Sequence, residues 1–162
     1  MFKFIILSLI IIIHDSPSFA QISHQKISNS IAENELAKAA MLAKNDIKAY
    51  KHLQEATNLD PSNSTFINST AYMAMKLGEF KSSLNYLQKA LYIDIEKFGN
   101  NHPNVAAIHN NMGNVYSLLE NRKSAIHHFN VAYKIISEYL GEKHPQTINI
   151  KKNLEREAEK IN

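Results

Sequence analysis

Histidine, asparagine and a few charged side chains are the residues here that could do chemistry. His102 and His144 each stand directly before a proline, 144 − 102 = 42 residues apart. An imidazole can bind zinc, but the ligands of one site cluster in space with other histidines or carboxylates. These two recur at a fixed interval instead, so they are read as residues that shape a loop and cap the helix after it. His127 and His128 are neighbours on a helix and leave it in different directions, which gives no two-toothed site. His109 stands alone as a surface candidate. After residue 20 the only aspartates are Asp46, Asp60 and Asp94. No Ser-His-Asp order, no glycine-rich phosphate loop and no His-Glu-x-x-His run is present, so catalysis is not expected. The chain has no cysteine, which excludes disulfides, thiolate metal sites and thiol nucleophiles. No metal and no other cofactor is expected.

What must position the remaining polar residues is a repeat. Phe98-Gly99-Asn100-Asn101-His102-Pro103 nearly superposes on Leu140-Gly141-Glu142-Lys143-His144-Pro145. In register with it run Ala37, Ala71 and Gly113, offset by 71 − 37 = 34 and 113 − 71 = 42. Small residues recur at 49, 83 and 125 and again at 56, 90 and 132, with large ones at 53, 87 and 129. The steps of four and three between 49, 53 and 56 put these residues on one face of a helix. Two antiparallel helices approach closely only where a small residue faces a large one, so the spacing predicts stacked helix pairs. The breakers agree. Gly78 and Asn121 fall near the turn inside a pair. Gly99 and Gly141 stand where a helix would end on a left-handed residue, and Pro61, Pro103 and Pro145 lie between pairs.

These residues resemble the tetratricopeptide repeat, a helix-turn-helix unit of about 34 residues. The later units are similar to the 42-residue variety of kinesin light chains. The residues that carry this are Asn101-His102-Pro103, Asn110-Asn111-Met112-Gly113-Asn114-Val115-Tyr116, and Ala132-Tyr133-Lys134-Ile135 running on to Leu140-Gly141. The resemblance covers about residues 30 to 162. It implies an all-α fold, a right-handed α-solenoid of about three helix pairs and a C-terminal capping helix. The units are placed at 30–63, 64–105 and 106–147, with the capping helix at 148–162 and a linker at 21–29. The first unit lacks the aromatic residues and turn glycine of the pattern. The second has Thr70 and Ser83 where Leu and Ala are usual, which predicts either a less stable middle unit or hydroxyls bonded back to their own helix.

The resemblance implies a concave groove lined by the first helix of each pair. The groove positions are Asn34, Glu35 and Lys38, then Asn68, Ser69 and Tyr72, then Asn110, Asn111 and Asn114. Lys152, Asn153 and Arg156 follow from the closing helix. An asparagine donates and accepts at once, so it can hold the amides of an extended peptide without reading its side chains. A lysine and an arginine nearby can hold a carboxylate. The expected function is therefore an interaction module that holds a peptide or protein segment. The alternative is a scaffold that self-associates through its convex face or end repeats.

Composition narrows partners and place. A net charge of +3 without a dense basic stripe or stacking aromatics does not fit a nucleic-acid binder. Lys3 precedes an apolar run from Ile5 to Ile13, which Asp15 and Pro17 end, and Ser18-Phe19-Ala20 follows. Nine residues are too few to span a bilayer, which takes about 20. Residues 1–20 read as a cleavable secretory leader cut between Ala20 and Gln21, against the alternative of an uncleaved anchor or an interfacial helix. The product is expected to be exported, periplasmic or secreted, with no membrane contact after cleavage.

Overall fold

The computed structural model describes residues 18–160, so most of the expected leader lies outside the described residues. Seven helices lie among them. Phe19–Leu42 (α1) and Asp46–Leu59 (α2) form the first pair, and Ser64–Lys76 (α3) and Phe80–Phe98 (α4) the second. Pro103–Leu118 (α5) and Arg122–Leu140 (α6) form the third, and Pro145–Glu159 (α7) closes the stack. Each helix packs on its neighbours in the chain, and α3 also touches α5 across units. This is the sequence-order stacking of an all-α solenoid.

The repeating small residues make that stacking possible. Ala37, Ala71, Ala49, Ser83, Ala125, Ala56, Ala90 and Ala132 are all fully buried, and so is Gly113 within its class. Leu53, Leu87 and Phe129 fill the space beside them and are buried too. The hydroxyls in the second unit do more than bond to their own helix. Thr70 donates to the Phe66 carbonyl of its own helix at 2.8 Å, and lies 2.9 Å from the Thr57 hydroxyl of α2. Ser83 donates across the pair to the Ala71 carbonyl at 2.8 Å, not back along its own helix as the sequence suggested. Both polar substitutions thus sit at tight contacts where a hydroxyl donates to a helix carbonyl.

The loops follow from backbone chemistry. His102 and His144 are the N-cap residues of α5 and α7, and their Nδ1 atoms accept from the amides of Asn104 and Gln146 at 3.2 Å. Pro103 and Pro145 take the first helical position, where a missing N–H costs nothing. Helix α5 therefore begins at 103 and α7 at 145, three residues before the starts set for those units from the spacing. Gly99 and Gly141 have φ 82° and 84° with ψ 170° and 159°. That region is open essentially to glycine alone, and it differs from the left-handed helical cap expected.

Inside each pair, the turn is made by residue 44, 78 or 120, all with positive φ. Gly78 suits this, but Lys44 and Glu120 adopt φ 56° against a steric cost. The following asparagines, Asn45 and Asn121, cap the next helix with their side chains. Lys44→Gly and Glu120→Gly are each expected to raise stability by about 0.5–1 kcal/mol, read as a higher midpoint in urea. No gain in either variant would mean the turn is not strained.

The segment 21–29 is helix rather than the expected linker. Nothing between Ser18 and Asp60 is Gly or Pro, and Ser18 caps the helix in a reciprocal box with Gln21. At 24 residues against 14, α1 outruns α2, and Phe19, Ile22 and Ile27 stay exposed on the overhang. At the other end α7 buries one face only. Thr147, Ile150 and Glu157 are buried, while Lys151, Lys152, Glu155, Arg156 and Glu159 face solvent, as suits a cap.

Candidate functional site

The first helices α3 and α5 are joined by their asparagines. Nδ2 of Asn111 donates to Oδ1 of Asn68 at 2.9 Å, a link between residues 111 − 68 = 43 apart. The same step from Asn110 leads to Asn153 on α7, since 153 − 110 = 43. That second rung is open on the Asn110 side: its Oδ1 is buried and has no hydrogen-bond partner. A buried acceptor left unpaired costs about 1–3 kcal/mol.

Around this pair of rungs the other expected residues divide. Asn114 and Asn153 are half-buried, and Asn34 is too. Tyr72 stands 43% exposed on α3, a free aromatic face. Lys152 and Arg156 are exposed about two and three turns along α7, and Arg156 leans towards the Glu157 carboxylate at 3.5 Å. Glu35 and Lys38 pair with each other at 2.7 Å and are both well exposed, so they contribute little. Beside the closed rung lies a cleft of about 120 Å³ between Ser64, Thr65, Asn68 and Asn104. Its floor includes Asp94, buried and bonded to the Ser64 hydroxyl.

Three arrangements were not visible in the spacing. Glu157 is 1% exposed, yet it occupies the place that Val115 holds in α5, 157 − 115 = 42 residues earlier. Burial alone would raise its carboxyl, but the Ser117 hydroxyl at 2.6 Å, Lys160 at 3.0 Å and Arg156 outweigh that and hold it below the usual range. Glu33 and His52 meet at 2.6 Å between α1 and α2. His109, expected as a lone surface residue, is half-buried with its Nδ1 2.9 Å from Nδ1 of His128. Burial pushes both imidazoles below their ordinary range, His128 to about 4. The neighbouring histidines add to this, His127 at His109 and both His109 and His127 at His128. The ring of Tyr116 stacks parallel on His128, 5.3 Å between centroids. A carboxylate at a core position carries no sequence mark of its own. Setting residues 33, 67 and 109 in register with 52, 86 and 128 shows that the two histidine pairs are equivalent, but not that either pair meets.

Among the described residues no helix is long and apolar enough to cross a membrane. The tetratricopeptide repeat family model matches residues 63–138. A curated relative, stress-induced-phosphoprotein 1 of Caenorhabditis elegans, is 36% identical over 67 residues, which are 41% of this chain and 21% of that protein. The chain thus spans about a fifth of the length of that relative. The solved N-terminal domain of stress-induced protein-1 from C. elegans is 26% identical, with a TM-score of 0.61 over 79% of this chain and 96% of that one. A kinesin light chain-like repeat protein of a Podospora fungus superposes with a TM-score of 0.70 at 15% identity, over 78% of this chain and 64% of that one. The TPR2B domain of yeast Sti1, solved as a complex with a pHsp70 partner, gives 0.69 at 16% identity, over 82% of this chain and 98% of that one. The last two likenesses are of fold.

Proposed function

The chain carries tetratricopeptide repeats, matched over residues 63–138, and on that premise we propose that it holds a peptide or protein segment in the groove lined by α3, α5 and α7. Protein binding is the role of this fold's relatives, as the yeast domain in complex with its partner illustrates. The observation that carries the reading here is the row of half-buried asparagines, Asn110, Asn111 and Asn114 on α5 and Asn153 on α7, beside the closed Asn68–Asn111 rung. An extended segment laid along the groove brings backbone N–H and C=O groups to amides that both accept and donate. Lys152 and Arg156 lie where a carboxylate of the segment would be met, and the exposed ring of Tyr72 where an apolar side chain would rest. No catalytic role is assigned to these residues.

Asn110→Ala with Asn114→Ala is expected to lower capture of the partner at least tenfold without lowering the melting temperature. An unchanged affinity would reject the groove. Self-association through the convex face or end repeats is the competing reading, and a strict monomer by light scattering across concentrations removes it.

We further propose export, to the periplasm or outside the cell, on the strength of the leader-like residues 1–20 alone. Cleavage after Ala20 would remove the Ser18 cap and two residues of α1, leaving the rest of the stack intact. Mass measurement of the protein recovered from its compartment should give a chain starting at Gln21; an intact Met1 on a membrane-bound product would favour the anchor instead.

A further inference from the structure

The three helix pairs bring equivalent residues together at one position. In the first pair Glu33 meets His52, in the second Ile67 and Tyr86 share one packed cluster, and in the third His109 meets His128, set apart by 34 and then 42 residues. The fold therefore brings side chains together at this position whatever they are. Only in the third unit are both of them imidazoles, with ring nitrogens 2.9 Å apart.

We propose that His109 and His128 form a two-imidazole site for a divalent transition ion of tetragonal preference, Cu²⁺ above all. Metal–nitrogen bonds of about 2.0–2.1 Å at right angles set two donor nitrogens about 2.9 Å apart, whereas tetrahedral bonds of that length set them about 3.3 Å apart. The observed separation is set by the hydrogen bond between the rings, and it leaves the two nitrogens close enough to become neighbouring corners of a square without a large movement. Imidazole suits copper, nickel and zinc, and copper leads the affinity order of the divalent ions. Among the described residues no group of three or more His, Asp or Glu side chains converges on such a site, so the protein supplies two ligands and water the others. That composition again favours copper over a structural zinc, which wants four protein ligands.

The chemistry needs no net proton. In the present contact one Nδ1–H donates to the other Nδ1. When the donor ring moves its proton to Nε2, both Nδ1 lone pairs are free to meet the ion. An ion can arrive through the cleft of about 300 Å³ that His109 borders, where Asn101, Lys134 and Glu138 face solvent. The site lies between α5 and α6 and does not depend on the groove holding a partner.

The second pair supplies a safe variant. Residues 67 and 86 already combine isoleucine and tyrosine within one well-packed cluster, so His109→Ile with His128→Tyr copies a solution this fold accepts. Cu²⁺ is titrated into purified protein, made without a histidine tag, by calorimetry with glycine as competitor, and the complex is examined by electron paramagnetic resonance. The expected result is one tight Cu²⁺ per chain, a tetragonal spectrum with two nitrogen couplings, and at least a tenfold loss of affinity in the double variant. His52→Asn should leave binding as it was. His128→Asn alone, with the metal-free melting curve as a check on folding, should lose affinity to the same degree. Equal binding in the double variant, fewer than two coupled nitrogens, or no tight binding in the natural sequence would each overturn the proposal.

Discussion

Gly113→Ala is expected to destabilise the protein by about 2 kcal/mol and to lower its melting temperature by roughly 5–10 °C. The sign is opposite to the usual one. Replacing a glycine inside a helix by alanine ordinarily gains about 1 kcal/mol from backbone entropy. Here a methyl group on residue 113 would stand 2.6 Å from two ring carbons of Phe129 and 2.9 Å from a third. Phe129 is fully buried against the tightest crossing of α5 and α6, so the ring has little room to retreat. The cost of the clash therefore exceeds the gain in propensity. Phe129→Leu should relieve it: the double variant is expected to be at least 1 kcal/mol more stable than the sum of the two single changes. Thermal melts of the four proteins make the comparison. A Gly113→Ala variant as stable as the parent would show that the two helices are not held at this distance.

Glu157→Ala is the second large effect. It leaves the Ser117 hydroxyl without its partner and opens a space beneath the capping helix, at an expected cost of about 2–3 kcal/mol. The lysine and arginine that attend the carboxylate are about half exposed and return to water, so they add little to the loss. Glu157→Val should cost less than Glu157→Ala, because valine fills the equivalent place at residue 115. Hydrogen exchange in α7 reports the difference directly. The same carboxylate sets an acid limit. Its folded-state pKa lies below the unfolded value, so its contribution is present in full above the unfolded carboxylate range and is lost as pH falls through the folded pKa. The Glu157→Val protein should show a shallower fall of melting temperature below about pH 4.5. Equal acid profiles would mean the carboxylate is no better placed in the fold than in the open chain.

Much of the stack was legible because its cause is local and periodic. Alanine, serine or glycine at fixed steps, with a large residue between them, states a helix crossing without any knowledge of distance. The cap roles of His102 and His144 were legible for the same reason, since a proline next to them fixes where a helix starts. What the period could not report is identity at a shared position. Nothing in the spacing says that residue 157 enters a core with its charge, or that residues 109 and 128 meet. Both follow from geometry that every unit repeats, filled by side chains that differ from unit to unit. The helix over 21–29 escaped for a different reason. Its exposed isoleucines meet no partner helix among the described residues, so no periodic pattern marked it, and only the absence of breakers favoured it. In the groove, the register placed Asn68 and Asn111 near one another, but not which amide would be satisfied and which left open.

The groove is tested most directly by where a partner touches the chain. A photo-reactive phenylalanine analogue is placed at Tyr72, exposed on the first helix of the second pair, or at Tyr92 or Tyr139, both exposed on second helices. After capture of the partner and illumination, crosslinks are expected from position 72 and not from 92 or 139. Crosslinks from the second helices with none from position 72 would contradict the account and put the partner on the convex face.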